Sequence, residues 1–135
     1  MLWSFKLIQE IDKQGAKNNR TIHCLLQVHI AEEETKFGLD EAELAEVMQQ
    51  LSSRPLPNVA VRGLMGMASF TDNPATLSNE FRTLKRLFEK CSHSIPTQDH
   101  PFNILSMGMS SDYHIALEEG STMVRIGSLL FGERQ

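Results

Sequence analysis

Two stretches late in the chain hold the residues with the clearest chemical potential: LSMGMSSD, residues 105–112, and GSTMVRIG, residues 120–127. In each, an apolar run passes into small residues. Gly108 permits a tight turn and a close approach of ligand to backbone. Ser110 and Ser111 fall where the next helix starts, a place where free N–H groups and the helix dipole favour an anion. Gly127 closes the second run in the same way, and Ser128 follows it. Side by side, two such turns make a phosphate cup of the kind barrels carry after their last two strands. Ordinary strand-to-helix turns with N-cap serines have the same spelling, so both readings stand on spacing alone. Arg125 lies between Val124 and Ile126, which point to the other face of a strand. A guanidinium on a sheet face needs a partner. That partner is either a structural carboxylate at a barrel mouth or a bound ring or phosphate.

The remaining candidates are weaker. His23 and His29 are six apart and share a face of one predicted strand. No HxH or HExxH spacing accompanies them, so no metal is expected. Glu32, Glu33 and Glu34 read as a solvated loop. Lys36 reads as a surface residue or a cation at the strand mouth. Cys24 and Cys91 fall in apolar patterns without a CxxC, as buried, inert, reduced thiols do. Met65, Met67, Met107 and Met109 gather at two strand ends, to fill core or to pack a flat ring.

The elements that must position these residues alternate. Leu7, Ile8 and Ile11 predict a helix over 4–17, and the run 21–30 a buried strand. Asp40 with Glu43 spells a capping box, before a helix with Leu44, Val47, Met48 and Leu51 on one face. A strand over 59–65 follows. Asn73 caps a third helix with Pro74 in its first turn and a stripe of Leu77, Phe81, Leu84, Phe88 and Cys91. Then come a strand over 102–107, a short helix over 112–119 ending at Gly120, a strand over 123–126 and a possible helical turn over 128–131. Strands separated by helices imply parallel pairing through right-handed crossovers, an α/β fold. The chain is either an open doubly wound sheet or half of a (βα)8 TIM-type barrel. With 135 residues it falls short of the roughly 250 of a complete barrel.

Composition narrows the function classes. Hydrophobic residues make up 41% and charged residues 22%, as in ordinary globular domains. No apolar run approaches the roughly 20 residues that span a bilayer, and the first segment lacks a signal-peptide layout. A formal net charge of −4 argues against a nucleic-acid surface. A cytoplasmic protein without membrane or nucleic-acid partners is expected.

The stretch 105–112 followed by GSTMVRIGSLLFGER, 120–134, resembles the signature of the pyridoxal-phosphate homeostasis protein family. These are barrels of the alanine racemase N-terminal-domain type. LLQVHI (25–30) with KFG (36–38), and RGLM (62–65), resemble the family's middle strands, so the likeness runs along the whole chain. It implies that Ser110, with the backbone N–H groups of Gly127 and Ser128, holds the phosphate of pyridoxal 5′-phosphate. It also implies that Arg125 faces the pyridine nitrogen and that Met107 lies near the ring. A cation at that nitrogen keeps it unprotonated, which suits a cofactor carrier rather than a catalyst. The resemblance further implies that the chain is the C-terminal half of the barrel. The first half, with the lysine that bonds the cofactor covalently, has no counterpart here, and Lys36 belongs to a different strand end.

Three functions follow from the resemblance and the missing half: a non-catalytic protein of cofactor homeostasis, a fragment of an amino-acid racemase, or a non-binding assembly fragment. Racemisation needs opposed acid and base groups and the cofactor lysine, and the lone tyrosine, Tyr113, sits at a predicted helix start. Open edges on the first and last strands and an exposed apolar inner face predict a two-fold dimer or a partner that supplies the other half.

Overall fold

The computed structural model describes residues 5–33, 38–54, 56–94 and 100–126. Its elements run α1 (Phe5–Lys17), β1 (Ile22–Gln27), α2 (Glu41–Ser53), β2 (Val59–Gly66), α3 (Pro74–Ser94), β3 (Ile104–Met109), α4 (Tyr113–Glu118) and β4 (Met123–Arg125). The strands form one sheet in the order β1-β2-β3-β4, and every neighbouring pair is parallel. This is the expected α/β alternation, and β1 and β4 are the edges of the sheet.

Local chemistry explains the element starts. Asp40 Oδ1 accepts from Glu43 N–H at 2.7 Å, and Glu43 Oε1 accepts from Asp40 N–H at 3.0 Å. Both orphan donors at the start of α2 are thereby satisfied. Asn73 Oδ1 accepts from Ala75 N–H at 3.0 Å at the start of α3, and Pro74 takes the first helical position, where its missing N–H is no loss.

One face of the sheet and the apolar stripes of the helices make a single core. Leu26, Val28, Val61, Leu64, Leu105 and Met107 share it with Ile8, Leu44, Phe81, Leu84 and Ala116. Alternation puts Gln27, Met65 and Ser106, which are register partners, on the other face. The sequence predicts this second face to be apolar and open. Instead these three residues are buried, and two of them are polar. Only Met123, the register partner of Ser106, is exposed in that row.

Element bounds differ from expectation where the backbone leaves the ladder. β1 ends at Gln27, and beyond it Val28 makes only an isolated bridge with Leu39. His29 therefore lies past the strand, at the opposite end from His23, and the pair does not share a strand face. β3 runs two residues further than predicted, to Met109. Its register with β4 slips between Ser106 and Met109. The turn expected over 128–131 lies outside the described residues.

Candidate functional site

The C-terminal end of β3 and β4 gathers the residues singled out by type. Gly108 has φ +103°, and a Cβ there would stand 2.7 Å from Ala116 Cβ. A glycine is required for this bend and for α4 to lie against the sheet. Past it, Asp112 does not cap its own helix. Its Oδ1 accepts from Met109 N–H at 2.7 Å and closes the turn that holds Ser110 and Ser111. Ser110 is half-buried and Ser111 exposed. α4 is a helix of only six residues, so the turn itself, more than a helix dipole, shapes the site.

Arg125 is the register partner of Met109, so Ser110 follows directly beyond it. Ser110 and Arg125, fifteen positions apart in sequence, thus meet at one end of the sheet. The Nε and Nη2 atoms of Arg125 are buried and have no hydrogen-bond partner among the described residues. Burial lowers its pKa, and the charge of Asp112 opposes that shift. Asp112 supplies field without contact, since the described residues contain no ion pair to Arg125. The structural-carboxylate reading of Arg125 is thus not met by a bond, and its buried donors point to an acceptor that the described residues do not supply. An anionic or ring-nitrogen acceptor fits them.

Two hydroxyl residues that the sequence reading passed over anchor this strand. Thr122 Oγ1 accepts from Leu105 N–H at 2.8 Å, and Thr122 N–H donates to Leu105 O at 2.9 Å. Ser121 Oγ donates to Met107 O at 2.7 Å. They fix the short β4, and with it Arg125, against β3. A hydroxyl pair directly after Gly120 was the available signal.

The other candidates are dispersed. Met107 is fully buried among core residues facing the helices, and Met65 lies buried on the opposite face. Met109 is exposed. His29 Nε2 lies 2.8 Å from Glu33 O. Glu33 is not simply solvated: its Oε1 accepts from Phe70 N–H at 2.7 Å. Ser69 Oγ accepts from Glu32 N–H and donates to Glu80 Oε2, while Ser69 N–H donates to Glu80 Oε1. The loops after β1 and β2 are stapled together in this way. Cys24 and Cys91 are buried free thiols, each pushed up to about 11 by burial. Gly127, Ser128 and Lys36 lie outside the described residues. Among the described residues no cluster of His, Cys, Asp or Glu could hold a metal, and no helix is long and apolar enough to cross a membrane.

A parallel sheet flanked by helices, with glycine- and serine-rich turns and a buried unpaired arginine at one end, defines a half-barrel of the phosphate-cofactor type. The family described as alanine racemase, N-terminal domain, matches residues 1–135, and the chain belongs to it. Among curated relatives, the pyridoxal phosphate homeostasis protein of Aquifex aeolicus is 40% identical over 96% of this chain and 54% of its own length. That of Haemophilus influenzae is 36% identical over 96% and 53%. The chain spans about half the length of the curated relatives it matches. PipY of Synechococcus elongatus, solved with PLP bound, superposes at a TM-score of 0.83 with 31% identity, over 97% of this chain and 58% of that one. Alanine racemase from Bartonella henselae, at 17% identity and a TM-score of 0.63, shares the fold. Pyridoxal phosphate is the ligand of this family, and the half-barrel class is that of its solved members.

Proposed function

We propose that the chain is a single domain forming the C-terminal, phosphate-holding half of a pyridoxal 5′-phosphate-binding barrel, serving cofactor homeostasis without catalysis. The observation that carries this reading is Arg125, whose buried Nε and Nη2 lack partners beside the Ser110 turn. Ser110 would bind the phosphate with the backbone N–H groups of Gly127 and Ser128, and Met107 would firm the strand beneath. Arg125 would donate toward the pyridine nitrogen and disfavour a proton there. When bound, the cofactor supplies an electron sink in most of its enzymes, and a cation at that nitrogen weakens it. Asp112 and Ser121 would hold the turn and strand that orient Ser110 and Arg125. The names of the relatives support the homeostasis role. The two buried free thiols support a reducing, cytoplasmic setting, and the two open sheet edges support a homo-oligomer or a second half from elsewhere.

Titration with pyridoxal phosphate, followed by its absorbance, tests the site. Ser110→Ala should weaken binding by about 1 kcal/mol, or roughly fivefold. Arg125→Ala should weaken it further and change the spectrum. Equal affinities in all three proteins would remove this end of the sheet from the site. Borohydride reduction followed by peptide mapping should leave no stoichiometric lysine adduct, and one at Lys36 would overturn the non-covalent reading. Sedimentation over a concentration range should show a dimer, whereas a compact monomer at high concentration would exclude self-association.

A further inference from the structure

At the opposite end of the sheet three nitrogen-rich side chains converge from separate segments. His23 is the second residue of β1, Arg62 lies in β2 where the register with β1 slips, and His100 precedes β3. Arg62 donates from Nη1 to His23 Nδ1 at 3.1 Å and from Nε to Pro101 O at 2.9 Å. The His23 and His100 rings meet edge to face, with centroids 4.4 Å apart. A guanidinium can only donate, so the His23 nitrogen it meets must carry a lone pair. His23 is therefore held neutral, with its proton on Nε2.

Both of these Arg62 bonds end on neutral acceptors, and among the described residues no carboxylate pairs with it. Asp12, on the packed helix α1, spends Oδ1 on Asn58 N–H at 2.8 Å. The charged or titratable groups acting on His23 are His100, from the segment before β3, and Arg62, from β2. Partial loss of water, then His100, then Arg62 lower its pKa. His23 is exposed and Arg62 half-buried, so the cluster is open to solvent. A fixed cation beside two imidazoles that can each add charge, with no counter-ion, is the donor set of an oxyanion site.

We propose that Arg62, His23 and His100 bind a tetrahedral oxyanion of the phosphate or sulfate class at the N-terminal end of the sheet, coupled to protonation of His23. Proton uptake at Nδ1 turns that atom from acceptor to donor and frees Arg62 Nη1–H, so both can point to one anion while Arg62 Nε stays on Pro101. By linkage the anion raises the histidine pKa values and binds more tightly as pH falls. This site is separate from the Ser110–Arg125 end and does not rest on the function proposed for it.

The test is proton NMR of the histidine ring resonances of the 135-residue chain, in sulfate and in chloride at matched ionic strength. His23→Gln and His100→Gln assign the signals. The His23 and His100 titrations should move to higher pH in sulfate, with sulfate about tenfold tighter near pH 6 than near pH 8. Arg62→Gln should abolish the shift, and Arg62→Lys should keep part of it while showing that the fold is intact. Arg125→Ala should leave the shift unchanged. Titrations insensitive to sulfate, or a shift that survives Arg62→Gln, would overturn the proposal. Loss of the shift in Arg125→Ala would place the anion at the other end and overturn it equally.

Discussion

Arg125 and Arg62 sit at opposite ends of one parallel sheet and meet opposite fates. Arg62 finds Pro101 O and His23 Nδ1 within hydrogen-bond distance, so its fork of donors ties β1 and β2 to the segment before β3. Arg125 has two buried donors without any such acceptor among the described residues. The difference lies in which neighbours the strand ends supply, since the side chain is the same. A donor left unmet inside a protein costs more than a met one gains. Arg125 is thus a liability to the folded chain that only a ligand offsets, whereas Arg62 contributes to the fold even with nothing bound.

Glycine substitutions should break this comparison most severely. At Gly63, beside Arg62, an added Cβ would lie 1.6 Å from Ile104 O. Backbone cannot yield that far, and Gly63→Ala should cost about 3 kcal/mol in urea or thermal unfolding. Gly108→Ala, at the Arg125 end, meets a side-chain carbon at 2.7 Å and a φ of +103°. It should cost about 2 kcal/mol. A larger loss at Gly108 than at Gly63 would mean that the N-terminal end is the more pliable.

The arginines themselves should respond with opposite signs. Arg125→Met, which removes buried unmet donors, should raise the stability of the ligand-free chain by about 1.5 kcal/mol while weakening cofactor binding. Arg62→Met removes met hydrogen bonds and should lower stability by about 1 kcal/mol. Destabilisation by both would show that Arg125 has a structural partner after all.

The smallest effects are those of pH. His23 has a lowered pKa when folded, so the unfolded chain binds its proton more readily. Stability should be full above the ordinary histidine value near 6.5 and decline as pH falls from there through the lowered folded value. His23→Gln should flatten that decline. Cys24 is the next residue and buried, and supplies the alkaline counterpart. Its thiol is held near 11 against an ordinary 9.0, as is that of Cys91. Stability should therefore be lost as pH rises from about 9 to about 11. Cys24→Ala should remove part of the alkaline loss and leave the acidic decline untouched.

Much of the fold was legible because it is written in local chemistry. The Asp40–Glu43 box, the Asn73–Pro74 start and the stripe from Leu77 to Cys91 each follow from spacing. Ser110, Gly108 and Arg125 were legible by type. The strand ends were less so: β1 stops at Gln27 because the chain turns back to Leu39, a contact that no window on 21–30 reveals. The Glu80–Ser69 staple and the Arg62–His23 bond join residues eleven and thirty-nine positions apart. Neither spacing corresponds to a helix or hairpin period.

The sequence by itself determined the αβ alternation, the parallel sheet and the residue types at its C-terminal end, because periodicity, caps and glycine turns act over a few residues. Tertiary structure alone decided which donors are met. It aligned Arg125 with Met109 through a register slip, gave Asp112 to Met109 N–H instead of to Arg125, and buried Gln27, Met65 and Ser106 on the face expected to be open. It also turned His23 and Arg62 toward each other. Hydrogen-bond satisfaction depends on distances between strands, and those distances exist only once the sheet has formed.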